Sequence, residues 1–125
     1  MSRMTTPRKR IRGSGAAGSG TGHFLQQRVS AIALFVLMPV FAVCFALSGA
    51  PDADATRAWL GSPFGALVTL LTMSAALYHG RLGVQVVIED YLHKTTTKAA
   101  LLIANTFLVA GLWLAGVYAL LTLAL

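Results

Sequence analysis

FGALVTLLTMSAALYHGRLGVQVVIEDYLHK, residues 64–94, opens as an almost unbroken apolar run and closes on two acids, a tyrosine, a histidine and a lysine. Its apolar part, about Phe64 to Ile88, is long enough for a helix to cross a bilayer, which takes roughly 20 residues for about 30 Å of hydrocarbon. His79 falls near the middle of that run. An imidazole at such a depth is costly unless it faces protein, water or a ligand. Asp90 and Tyr91 follow where the run reaches the membrane interface.

Two further runs, about Val29 to Leu47 and about Ala99 to Leu125, reach a similar length. Lipid cannot satisfy backbone N–H and C=O groups, so segments of this kind span as helices. The short alternating segments of a membrane β-barrel are absent. The expected fold is an all-α membrane protein with three transmembrane helices, at about 29–47, 64–88 and 99–125. Composition agrees. Of 125 residues, 56% are hydrophobic and 11% are charged; a soluble domain carries about 25% charged residues. Too little polar surface remains for water to be the only solvent.

The formal charge is +6, but Arg3, Arg8, Lys9, Arg10 and Arg12 hold half of the ten basic residues in a short N-terminal stretch. No aromatic RNA-binding motif or helix-turn-helix pattern accompanies them, which argues against nucleic-acid binding. Instead they mark a cytoplasmic flank. The first loop has Arg57 against Asp52 and Asp54, whereas the second has Lys94 and Lys98. The positive-inside rule therefore places the N-terminus and second loop in the cytoplasm and the C-terminus on the periplasmic side. Residues 1–22 are basic, rich in Gly, Ser and Thr, and free of acids, so they are expected to form a disordered tail. Residues 23–125 then form the membrane domain. The lone Cys44 has no partner for a disulfide and no metal-type spacing, and reads as a small buried hydrophobe.

Local signals mark the connections. Ser48-Gly49-Ala50-Pro51-Asp52 is turn chemistry. Asp54 to Leu60 reads as a short interfacial helix carrying Trp59, and Ser62 with Pro63 as the N-cap and first position of the second span. Pro39 is expected to bend the first span without ending it. In the third span, Gly111, Ala115 and Ala119 make a small-residue stripe suited to close contact within the chain or with another helix. Asn105 is placed to hydrogen-bond across helices.

At 100° per residue, Thr72, Ala75, His79, Gly83, Val86 and Asp90 fall within about 40° of one line on the second span. This stripe is small or polar on an otherwise bulky helix, so it admits a neighbouring helix or a flat cofactor. The imidazole has three readings: a hydrogen bond to a neighbouring helix, a proton relay, or a metal or haem ligand. Zinc is poorly supported, because no second ligand lies at i+3 or i+4. Arg81, Gln85 and Glu89 line a second face. Arg81 reads either as a cation reaching toward the cytoplasmic headgroups or as a partner for a cofactor carboxylate. Tyr91 lies about 18 Å along the axis from His79, so the two serve separate places. A phenol beside a carboxylate suits hydrogen bonding and proton transfer to a carbonyl.

His79-x-x-x-Gly83 followed by Asp90-Tyr91, within HGRLGVQVVIEDYLHK, resembles the small hydrophobic membrane-anchor subunit of succinate dehydrogenase, respiratory complex II. The first span adds GHFLQQRVSAIAL, with His23, Arg28 and Ser30. The resemblance covers about residues 22–125; the third span matches by hydropathy alone. It implies that His79 is one axial ligand of a b-type haem, with Gly83 allowing close packing at the haem. A companion anchor subunit of the cytochrome b556 type would supply the other ligand. It further implies that Tyr91 hydrogen-bonds a quinone (ubiquinone or menaquinone) and that Asp90 positions that site and aids proton delivery. Arg28 and His23 would lie near the haem propionates or the quinone entrance. Arg81 is outside the shared pattern and stands as a propionate or helix-pairing candidate. The implied partners are an iron–sulfur subunit, a flavoprotein subunit and the lipid of a bacterial inner membrane. The chain has neither a dinucleotide fingerprint nor a cysteine cluster, so catalysis needs those partners. The competing readings are a fumarate reductase or other cytochrome b-type anchor, a haem-free anchor, and a small proton-coupled transporter subunit using His79, Glu89 and Asp90 as relay groups.

Overall fold

The structure is a computed structural model and describes residues 20–125. Its described elements are all helical: α1 (Gly20–Leu47), α2 (Ala53–Gly61), α3 (Pro63–Tyr91) and α4 (Thr95–Ala124). The tail expected to be disordered lies outside the described residues except for its last three, which are already helical. The helix of the first span thus extends toward the N-terminus through Gln27 and His23 rather than beginning at Val29. Likewise α4 starts four residues before Ala99. Hydropathy marks where lipid begins, whereas backbone hydrogen bonding continues into the interface.

The caps explain the breaks. After α1 the chain turns at Gly49, whose φ of 95° suits a residue without Cβ. Asp52 caps α2, its carboxylate accepting from the Ala55 N–H at 2.8 Å. Ser62 ends α2 and caps α3: its hydroxyl donates to the Trp59 carbonyl at 2.7 Å and accepts from the Gly65 N–H at 3.1 Å. Pro63 opens α3, where its missing N–H costs nothing. Pro39 lies inside α1 and does not end it. The Lys98 ammonium donates to the Glu89 carbonyl at 2.7 Å and closes the turn between α3 and α4.

α3 is the central helix. Gly65, Val68, Thr72, Leu82 and Ile88 are buried on it, and Leu82 is only 2% exposed. α1 and α4 each pack on α3 rather than on one another. α2 folds over one end. Its Trp59 meets Phe41 and Phe45 edge-on at 5.7 and 5.5 Å, a favourable arrangement for aromatic rings. A Cβ at Gly61 would lie 2.5 Å from the Leu123 carbonyl, so glycine is what lets α2 approach the end of α4.

Two helices, α1 and α4, are by themselves long and apolar enough to cross a membrane. The third candidate span is α3 taken with α2, which meet at 85°. The sequence reading of three equal spans is refined accordingly: Tyr78, His79, Gly80 and Arg81 make the middle of α3 more polar than either outer helix. Only 6% of the apolar window of α1, and the same share of α4, is buried inside the chain. Lipid or further helices must cover the remainder, since water would not tolerate so much continuous apolar surface.

The small-residue stripe on α4 does not make the contact expected of it within the chain. Gly111 has open space around it, and Ala115 and Ala119 are exposed. The close approach is made one residue along, at Gly116, where an added Cβ would collide with the Met73 side chain. The helix is rotated so that Gly116, not the more regular stripe, faces α3.

Candidate functional site

His79 points at α1. Its Nδ1 lies 2.9 Å from the hydroxyl oxygen of Ser30, a residue 6% exposed. The same hydroxyl donates to the Gln27 carbonyl at 3.0 Å. Among the described residues nothing bonds to the other imidazole nitrogen, Nε2. On α1, His23, Gln27 and Ser30 follow at i, i+4 and i+7, which puts them on one face. His23 Nε2 and Gln27 Oε1 are buried and lack a hydrogen-bond partner among the described residues. A buried polar atom left unpaired costs about 1–3 kcal/mol, so a polar group could be accommodated along this seam.

A groove of about 360 Å³ opens beside the seam, with Val29, Ser30, Ala33, Ala75 and Tyr78 among its lining residues. Its walls are almost wholly apolar. Gly83 lies one turn from His79, where a Cβ would come within 3.9 Å of Gln27 Nε2; that is ordinary contact, so the packing within this chain alone does not demand glycine there.

The structure brings His79 and Ser30 together, with Gln27 and His23 on the same face of α1, and leaves the two arginines elsewhere. Arg28 stands about 160° around α1 from Ser30. It is exposed, with its guanidinium 5.1 Å from the centre of the Phe24 ring. Arg81 turns to α4 and donates to the Thr106 hydroxyl at 3.3 and 3.4 Å. Asn105 completes this second seam, its amide donating to the Arg81 carbonyl at 3.0 Å; the cross-helix role expected for it is thus met. Trp113 extends the seam by donating from Nε1 to Ser74 at 2.8 Å. Gln85 bonds Glu89 at 2.8 Å, one turn apart, and Arg81 takes no part in that pair.

Asp90 and Tyr91 close α3 and are exposed, Tyr91 at 76%. Neither side chain has a hydrogen-bond partner among the described residues. The phenol and carboxylate lie at the opposite end of α3 from the α2 cap.

Sequence reasoning passed over Gln27 and gave Ser30 no role. Their signal was present in the spacing of His23, Gln27 and Ser30. It was masked because hydroxyl and amide side chains at a helix start are common and uninformative until the facing helix is known.

Which groups this arrangement suits can be tested on the residues themselves. An imidazole with one nitrogen hydrogen-bonded to the protein and the other without a partner among the described residues is a side chain that could ligate a haem. An unpartnered buried His23 Nε2 on the same side suits an anionic or polar substituent. No group of three or more His, Cys, Asp or Glu residues gathers among the described residues.

Comparison with known proteins bears on the same point. The family model described as succinate dehydrogenase/fumarate reductase transmembrane subunit matches residues 2–124. The succinate dehydrogenase hydrophobic membrane anchor subunit of Paracoccus denitrificans is 37% identical over 105 residues, covering 84% of this chain and 81% of that protein. The equivalent subunit of Rickettsia conorii is 38% identical over 96 residues, or 75% of each chain, and that of Rickettsia bellii 35% identical over 96 residues, or 76% of each. With its helical architecture and apolar outer helices, the chain belongs to the succinate dehydrogenase/fumarate reductase transmembrane subunit family, among the hydrophobic membrane anchors.

Proposed function

We propose that this chain anchors a succinate dehydrogenase in a bacterial inner membrane, supplies one axial ligand to haem b through His79, and forms part of a quinone-reduction site through Tyr91 and Asp90. The observation that carries the haem assignment is the His79 ring, fixed at Nδ1 by a buried hydroxyl and free at Nε2. A second anchor subunit supplies the other ligand; an iron–sulfur and a flavoprotein subunit supply the electrons, so the complex links the tricarboxylic acid cycle to electron transport. When bound, haem b supplies a site of reversible one-electron chemistry within the membrane.

The residues of this chain do the rest. Ser30 orients the imidazole. His23, half-buried with its Nε2 enclosed and unpartnered among the described residues, offers a donor toward a propionate, and Gly83 keeps the approach to the haem clear. Arg28, exposed at the start of α1, serves the quinone entrance or a propionate. Arg81 has its helix-pairing role supported by Thr106 and Asn105. Tyr91 donates a hydrogen bond to a quinone carbonyl, and the exposed Asp90 carboxylate beside it feeds protons from the cytoplasmic side. The distance from His79 to Tyr91, about 18 Å by helical rise, keeps the iron ligand and the quinone contact apart.

Reduced-minus-oxidised absorption spectra of the purified complex test this. The wild type should show a b-type α band that His79→Ala abolishes or strongly shifts. A band unchanged by His79→Ala would remove this chain from the ligand set, and a wild-type complex with no band would leave a haem-free anchor.

A further inference from the structure

The side-chain hydrogen bond that His79 makes among the described residues is to Ser30 of α1. A serine hydroxyl has one proton to give and two lone pairs to offer. Here the oxygen stands 3.0 Å from the Gln27 carbonyl and 2.9 Å from His79 Nδ1. A carbonyl can only accept. If the hydroxyl proton pointed at the imidazole, the hydroxyl and carbonyl oxygens would face each other with no proton between them, in a site where Ser30 is 6% exposed and water has little access. Both contacts become hydrogen bonds only when the hydroxyl donates to Gln27 and Nδ1–H donates to the hydroxyl. The ring is then the Nδ1–H tautomer and its lone pair lies on Nε2.

We infer that Ser30 is a positioning residue: through a relay from Nδ1–H to its hydroxyl to the Gln27 carbonyl, it fixes the tautomer of His79 and raises the basicity of Nε2. The inference rests on the reading of His79 as a haem ligand and adds the residue that tunes it. Two bonds in series polarise one another in a dry setting, and an acceptor on the far nitrogen of a ligating histidine strengthens the ligand. A more basic ligand favours ferric over ferrous iron. Ser30 should therefore hold the potential of the haem lower than an apolar residue would. Gln27 acts through its main chain, so its side chain remains separate from this relay.

The test uses the whole complex, purified from membranes, with Ser30→Ala and Ser30→Thr compared by redox titration of the α band and by haem retention. Ser30→Ala should move the midpoint potential to more positive values and weaken haem retention by about 10–100-fold. Ser30→Thr, which keeps the hydroxyl, should restore both. A Ser30→Ala potential equal to wild type, or a Ser30→Thr complex as perturbed as Ser30→Ala, overturns the inference. If Ser30→Ala holds no haem at all, Ser30→Thr decides: wild-type behaviour upholds the relay, and haem loss there too refutes it. His79→Ala, measured alongside, separates the two levels. A band indifferent to His79→Ala sinks the ligand reading itself. A band that depends on His79 but a potential indifferent to Ser30 sinks only the relay.

Discussion

At the scale of single residues, α3 carries two kinds of polar group with opposite surroundings. His79 is held by its own chain, while the exposed Tyr91 has no hydrogen-bond partner among the described residues. A side chain that makes no internal bond contributes little to folding, so its replacement is a clean probe of function. Tyr91→Phe should lower quinone reduction on the order of 100-fold, the usual weight of a proton-donating group. Succinate oxidation by an artificial dye should stay near wild type, because that activity bypasses the quinone. Equal loss of both, in parallel assays, would assign Tyr91 a role in assembly instead. His79, Asp90 and Tyr91 were legible in the sequence because polar side chains stand out in an apolar run. Ser30 and Gln27 were not, because their meaning lies in what α3 brings opposite them.

At the scale of elements, one cap was read directly from sequence: Ser62 and Pro63 act where their chemistry predicts, whereas Asp52, read only as part of a turn, also caps α2. The helix–helix contacts were harder. Glycine and alanine at regular spacing on α4 suggested one face, and the structure uses another, set by where Met73 on α3 needs room. Spacing gives the existence of a stripe, but the rotation of the helix depends on the partner surface. Gly116→Val should therefore displace the flexible end of Met73 and destabilise the α3–α4 pair by about 1 kcal/mol, the low end of overpacking costs, whereas Gly111→Val should have little effect on the isolated chain. Thermal unfolding in detergent, followed by circular dichroism, distinguishes them; equal midpoints for the two variants would contradict this packing.

At the scale of the whole molecule, orientation follows from charge. With Lys94 and Lys98 in the second loop and Arg57 offset by Asp52 and Asp54 in the first, the C-terminus of α4 should be periplasmic. A C-terminal alkaline phosphatase fusion should be active and a C-terminal green fluorescent protein fusion dark; the reverse pattern would invert the topology. The all-helical class and the apolar segments were plain from hydropathy. The central place of α3 was not, since its polar middle lowers the apolar signal of the one helix that both others need.

That centrality has a further consequence. With α1 and α4 leaning on α3, most of the apolar surface of both is left uncovered by this chain. Wide greasy flanks of this kind resemble the marks by which membrane proteases select unassembled proteins. If the companion anchor proposed above covers them, cells lacking it should clear this polypeptide several-fold faster than cells that make both, as a pulse-chase would reveal. An unchanged lifetime would mean that the fan of three helices survives alone.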